Sequence, residues 1–167
     1  MAIRIVQLGS ARHPDEGIRF GTVRRPPRGV KKLDYSKQNF FDIWLPNLSP
    51  SAELMSKKLV RQAENKSRQD GMKFEASVEL SQARSAGGLV PKTAAKNKIK
   101  EDGSGWRAFE QRFRAELKQP DKSHILDALA ALSHNTNFSV GCYCNDEQRC
   151  HRSILRAEFK KRGALIK

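Results

Sequence analysis

Apolar and polar positions alternate from Ile3 to Leu8, and the run closes on Gly9-Ser10, the pattern of a short strand with a turn after it. Residues 11–17 contain Pro14 and Gly17 and read as a loop. Ile18 to Val23 reads as a second strand, weakened by Gly21. The segment RRPPRGVKK follows, and its prolines cannot donate to a sheet ladder, so it reads as a loop. Phe40, Phe41, Ile43, Trp44, Leu45 and Leu48 crowd the stretch from Tyr35 to Leu48, which predicts a segment wrapped onto the core with its aromatics inside. Ser49, Pro50 and Glu53 predict a helix start, with Ser49 as the cap and the helix running on through Leu54, Lys57, Lys58 and Arg61.

From 64 to 105 apolar residues thin out and Gly, Ser, Lys and Ala take over. This predicts a flexible basic insertion, partly helical around Phe74–Ala83, with joints at Gly71, Gly87-Gly88 and Gly103–Gly105. Periodicity then returns. Trp106, Phe109, Phe113 and Leu117 form one apolar helix face, and Pro120 ends that helix. Ser123 to Ser133 predicts another helix, with Ile125, Leu126, Leu129 and Leu132 apolar. Phe138 to Tyr143 reads as a strand. His151 to Arg162 reads as a closing helix, with Ile154, Leu155 and Phe159 inward and Gly163 as its stop.

Strands early, helices in the middle and a final strand–loop–helix predict a single compact α/β domain spanning residues 1–167. Its sheet is expected to be partly parallel and flanked by helices in Rossmann-like layering. Ligands of such sheets bind outside the carboxyl ends of the strands, where helix N-termini also point. The Gly9-Ser10 turn, the loop after the second strand and the loop after the last strand are expected to meet there.

Composition narrows the class. A chain of 167 residues is long enough to bury a core without a disulfide or a metal. No stretch approaches a membrane span, and MAIRIVQLGS lacks the apolar core of a signal peptide, so no membrane association and a cytoplasmic setting are expected. The formal net charge is +14, which makes a phosphorylated ligand or nucleic acid a plausible partner. Arg24, Arg25, Arg28, Lys31 and Lys32 cluster with no acid among them. That loop is either a solubilising surface or an anion site in which Arg24, Arg28, Lys31 and Lys32 hold phosphate.

The three cysteines all lie between 142 and 150, an odd and clustered set unlike a disulfide framework and suited to reduced thiols. In the segment CYCNDEQRCHR, Cys150 falls at a predicted helix N-terminus, where a thiolate is favoured. On that reading Cys150 is a reactive thiol, His151 its proton partner and Arg152 a cation that holds an anionic group, with Cys142 beside them, and no cofactor is called for. A second reading takes Cys142, Cys144, Cys150 and His151 as up to four soft ligands for zinc, with Asp146 and Glu147 nearby. A third takes Cys142 as a small core residue. The absence of Gly between Cys144 and Arg152 disfavours a loop that wraps an anion with its backbone N–H groups.

These residues also resemble those of the YeaO-like family, domain of unknown function 488. The resemblance is carried by Cys142 and Cys150-His151-Arg152, by Gly17-x-Arg19, Arg24, Pro27-Arg28-Gly29-Val30-Lys31-Lys32, Trp44 and Ser49-Pro50-Ser51-x-Glu53-Leu54, and by Trp106, Phe109, Phe113, Glu116 and Leu117. It covers residues 1–60 and 104–162 and leaves 61–103 as an extra stretch. Relatives often carry an acid, a tryptophan and a Glu where this chain has Val23, Pro26 and Cys144. Two fewer carboxylates and one more thiol lean the site toward metal or redox chemistry. The resemblance implies no assigned reaction.

Together these readings predict a small protein with an anion-binding Cys-His-Arg site that acts on a nucleotide or nucleic-acid substrate. The alternatives are a non-catalytic nucleic-acid-binding module, suggested by the net charge with Lys92, Lys96, Lys98 and Lys100, and a zinc-stabilised structural protein. Oligomeric state is not legible.

Overall fold

A computed structural model describes residues 1–56 and 104–167. Strands β1 (Ile3–Gln7), β2 (Ile18–Gly21), β3 (Ile43–Trp44) and β4 (Phe138–Cys142) form one sheet in the order β1-β4-β2-β3. Every neighbouring pair is parallel, so the expected α/β sheet is parallel throughout. Helices α1 (Ser104–Leu117), α2 (Pro120–Leu132) and α3 (His151–Lys161) complete the layering. Among the described residues no helix is long and apolar enough to cross a membrane.

β4 is the inner strand shared by β1 and β2, and all five of its residues are buried. Its sequence FSVGC shows why. A parallel strand covered on both faces reads as a nearly continuous apolar or small run rather than an alternating one. β1 is shielded at its start by the chain terminus, where Ile3 N–H donates to Leu165 O at 2.7 Å and Lys167 N–H to Ile3 O at 3.0 Å. The other edge, β3, is only two residues long, which limits its use as a template for further pairing.

The core joins Ile3, Phe138 and Val140 of the sheet to Phe109, Phe113 and Leu117 of α1, Leu126 and Leu129 of α2, and Ile154, Leu155 and Phe159 of α3. The three-and-four spacing of α1 does what it predicts: Phe109, Phe113 and Leu117 are buried, and Trp106 stacks on Phe109 with ring centroids 5.2 Å apart. Burying each such aromatic is worth about 3–5 kcal/mol by the cost of its truncation to Ala.

Several expectations are corrected. Ile43 and Trp44 are each 45% exposed on the short edge strand rather than packed in the core, and the Trp44 indole N–H donates to the Val23 carbonyl at 2.8 Å. Leu132 is 40% exposed because the inward face of α2 runs through Leu126, Leu129, Ala130 and Ser133, and Leu132 lies off that face. α2 starts at Pro120, earlier than Ser123, because a first-turn position has no helical use for the N–H that proline lacks. Gly105 lies within α1 and is not a joint. The helical segment 52–56 is capped by Ser51, whose Oγ accepts from Leu54 N–H at 3.1 Å. Ser49 instead closes the 3-10 turn Pro46–Leu48, its hydroxyl donating to Pro46 O at 2.6 Å. The predicted continuation of that helix beyond 56, the helical stretch Phe74–Ala83, the joints at Gly71 and Gly87-Gly88 and the lysines 92–100 lie outside the described residues.

Candidate functional site

Parallel pairing puts the carboxyl ends of all four strands on one edge, as the registers Gln7↔Cys142, Gly21↔Gly141 and Gly21↔Trp44 show. The Gly9-Ser10 turn, the basic loop and the cysteine loop therefore leave the sheet on the same side. Leu8, Val23, Phe41, Cys142 and Cys150 form a second buried cluster there, with Tyr35, Phe40 and Tyr143 packed against it. Gly141 permits this closeness, because a Cβ at that position would lie 2.5 Å from Leu8 Cδ2.

Cys142 ends β4 and Cys150 is the cap residue of α3, so two rigid elements hold the two thiols, and His151 opens the helix. One donor atom from each of Cys142, Cys150 and His151 lies within 4.8 Å of the others, and all three residues are buried. Cys150 Sγ is 3.7 Å from His151 Nδ1. His151 Nε2 lies 2.7 Å from the Thr22 carbonyl oxygen. A carbonyl only accepts, so Nε2 carries a proton, and Nδ1 is the ring nitrogen that faces the sulfur. Phe113 meets the imidazole edge-on at 5.8 Å and keeps the ring in place.

Cys142 and Cys144 sulfurs are 3.7 Å apart, and all three cysteines are free thiols. Hydrogen bonds from the Cys142 and Cys144 thiols, reinforced by His151, hold Cys150 far below the ordinary thiol range against the opposing effect of burial. Cys142 is pushed the other way, upward, by its hydrogen bonds to Cys144 and Cys150 and by burial. These surroundings favour the thiolate form of Cys150, with thiol donors and a helix N-terminus beside it.

Arg152 is 3% exposed and turns inward. One guanidinium nitrogen donates to Cys144 O at 2.5 Å, and Nε is buried without a partner among the described residues. It fastens the cysteine loop rather than reaching outward as a fork. Asp146 accepts from Gln148 N–H at 2.8 Å, and Glu147 accepts from Arg156 at 2.6 and 3.1 Å, so both carboxylates shape the loop. Arg24, Arg28, Lys31 and Lys32 are exposed and form no ion pair among the described residues. The loop that carries them leaves the sheet at the same edge as the cysteine loop.

Two features escaped sequence reasoning. Thr22 holds His151 through its carbonyl, and its hydroxyl donates to Gly141 O at 2.9 Å; only strand pairing brings them together. Glu16 and Arg19 form a fully buried ion pair, 2% and 0% exposed. Arg19 Nε donates to Glu16 Oε1 at 2.5 Å and Nη2 to Oε2 at 2.8 Å, while Nη1 reaches the Ser10 and Asn39 carbonyls at 3.0 and 2.6 Å. Ser139 Oγ donates to the same carboxylate at 2.6 Å. The pair thus ties the loops after β1 and before β3 to the middle of the sheet. Its signal was the spacing of the two charges across Gly17, whose φ of +71° makes the turn between them.

A family model described as the active DUF488-N3 subclade matches residues 3–99 and 86–163 of the chain. The matched spans also run across residues 61–103, the stretch that the motif resemblance leaves uncovered. No curated protein and no solved structure matches the chain.

Proposed function

The chain belongs to the DUF488-N3 family, and from that premise we propose that it binds a phosphate-bearing anion, of nucleotide or nucleic-acid type, at the carboxyl edge of its sheet, with the Cys150–His151 pair as the chemical centre. One observation supports this above the rest. The loop bearing Arg24, Arg28, Lys31 and Lys32 starts at the residues that build the thiol centre: Thr22 holds His151, and Val23 packs in the cluster of Cys142 and Cys150. Four exposed cations, with no acidic partner among the described residues, sit on the loop that leaves the sheet at the edge where α3 also begins. Guanidinium forks and a helix N-terminus both favour phosphate oxygens. At the centre, Cys150 is the acidic thiol and His151 Nδ1 faces it. Arg152 keeps the loop folded over them.

The test is a titration with inorganic pyrophosphate, a nucleoside triphosphate and a short single-stranded oligonucleotide, each at several salt concentrations. Arg24→Ala/Arg28→Ala should weaken binding by about tenfold or more, since a charge-assisted hydrogen bond is worth about 1.5–3 kcal/mol. The affinity should fall as salt rises. Equal affinity in the double variant, or a flat salt response, would overturn the reading.

A further inference from the structure

We propose that Cys142, Cys150 and His151 form a binding site for a soft divalent cation of the zinc class, with Cys144 as the fourth ligand. The inference deepens the reading above by naming what the same centre holds, and it rests on that reading only for the use to which the ion is put.

The donor spacing carries it. Zinc bonds of about 2.3 Å to sulfur and about 2.0–2.1 Å to nitrogen in a tetrahedron place neighbouring donors about 3.6–3.8 Å apart. Cys142 and Cys144 sulfurs stand 3.7 Å apart, and so do Cys150 Sγ and His151 Nδ1. The three buried donors all lie within 4.8 Å of one another, so a small contraction closes the set around an ion. The imidazole is oriented as a metal needs, with Nε2 committed to the Thr22 carbonyl at 2.7 Å and Nδ1 turned toward the sulfurs. An outer hydrogen bond of that kind orients most metal-bound histidines.

The surroundings agree. Asp146 and Glu147, the hard oxygen donors of the loop, are held by Gln148 N–H and Arg156. The remaining set is sulfur and imidazole, which selects zinc-like ions over magnesium or calcium. A divalent ion offsets most of the charge of the three thiolates, so burying the loaded cluster costs far less than burying the thiolates without it. Cys144 is the exposed member, and the loop that carries it is pinned by Arg152 through the Cys144 carbonyl. It forms the outer wall of the site and closes the tetrahedron with a fourth protein donor.

The experiment uses full-length protein purified under reducing conditions without chelator. Elemental analysis should find about one zinc per chain. Chelated protein reloaded with cobalt(II) should show a thiolate charge-transfer band and intense tetrahedral bands. Cys142→Ser and Cys150→Ser, checked for folding by circular dichroism, should lower metal retention by about tenfold or more, while Arg24→Ala/Arg28→Ala should keep it. A wild-type protein with no metal and no charge-transfer band overturns the proposal, whatever the variants do. So does metal retained undiminished by a folded Cys142→Ser/Cys150→Ser protein. Pyrophosphate titration separates the two readings. Binding of pyrophosphate without metal leaves the anion site and removes the metal, whereas metal without pyrophosphate binding does the reverse.

Discussion

His151 donates from Nε2 to the Thr22 carbonyl oxygen at 2.7 Å, and this one bond decides which face of the imidazole the thiols see. Thr22 follows β2 and His151 opens α3, so the tautomer is set by the pairing of β2 with β4 and not by anything near His151 in the chain.

That arrangement predicts how the thiols titrate in reduced, metal-free protein. Cys150 should ionise well below an ordinary thiol, because the Cys142 thiol and then the Cys144 thiol donate to it. Cys142→Ala should move the Cys150 titration upward toward the ordinary range, as read by thiolate ultraviolet absorbance. The sign for stability follows: a depressed acid stabilises the fold above the pKa of its unfolded form, and that contribution is lost as pH falls through the folded value. A Cys150 titration unmoved by Cys142→Ala would contradict the hydrogen-bonded cluster.

Accessibility predicts a different order of reaction. Cys144 is exposed, whereas Cys142 and Cys150 are 7% and 1% exposed. A bulky thiol reagent should label Cys144 first and leave the other two until the protein is unfolded, despite the low pKa of Cys150. Mass spectrometry of the labelled peptides checks this, and fast labelling of Cys150 would show that the site opens.

The Glu16–Arg19 pair should dominate the response of the fold to mutation and acid. Arg19→Ala leaves a carboxylate buried without its partner and should cost about 3–5 kcal/mol in denaturant unfolding. Burial pulls the Glu16 pKa upward, but hydrogen bonds from Arg19 and Ser139 outweigh it and hold the group at about 2. A depressed carboxyl contributes stability above its unfolded value of 4.5, and that contribution drains away as pH drops toward 2. Glu16→Gln should flatten that part of the pH–stability curve.

Close packing at the end of β4 makes Gly141 intolerant. An added Cβ would meet Leu8 Cδ2 at 2.5 Å and Val6 Cγ2 at 3.1 Å. Gly141→Ala should destabilise by about 1–3 kcal/mol through overpacking. It should also disturb Cys142, the next residue, so metal retention or thiol reactivity should change with stability. A neutral effect on both would show that Leu8 can move aside.

Much of this protein is written locally in its sequence. Alternation in β1, the apolar run of β4, the three-and-four spacing of Trp106, Phe109, Phe113 and Leu117, and Gly163 after the last helix depend on periods of a few residues, so a single segment reveals them. The nearness of Cys142, Cys144, Cys150 and His151 was legible for the same reason, since one strand end, one loop and one helix start contain them all. Other features were decided only when distant segments met. Trp44 lies on an edge because, among the described residues, no strand pairs beyond β3, and Ser51 rather than Ser49 caps its helix because the 3-10 turn Pro46–Leu48 uses Ser49 first. Arg19, a cation in an exposed-looking segment, is fully buried because Glu16, Ser10 and Asn39 converge on it. Arg152 turns inward to a loop carbonyl, and Thr22 orients His151 across the sheet. Buried polar groups must find partners wherever the fold places them, and pairing over more than a hundred residues of chain is not a local property.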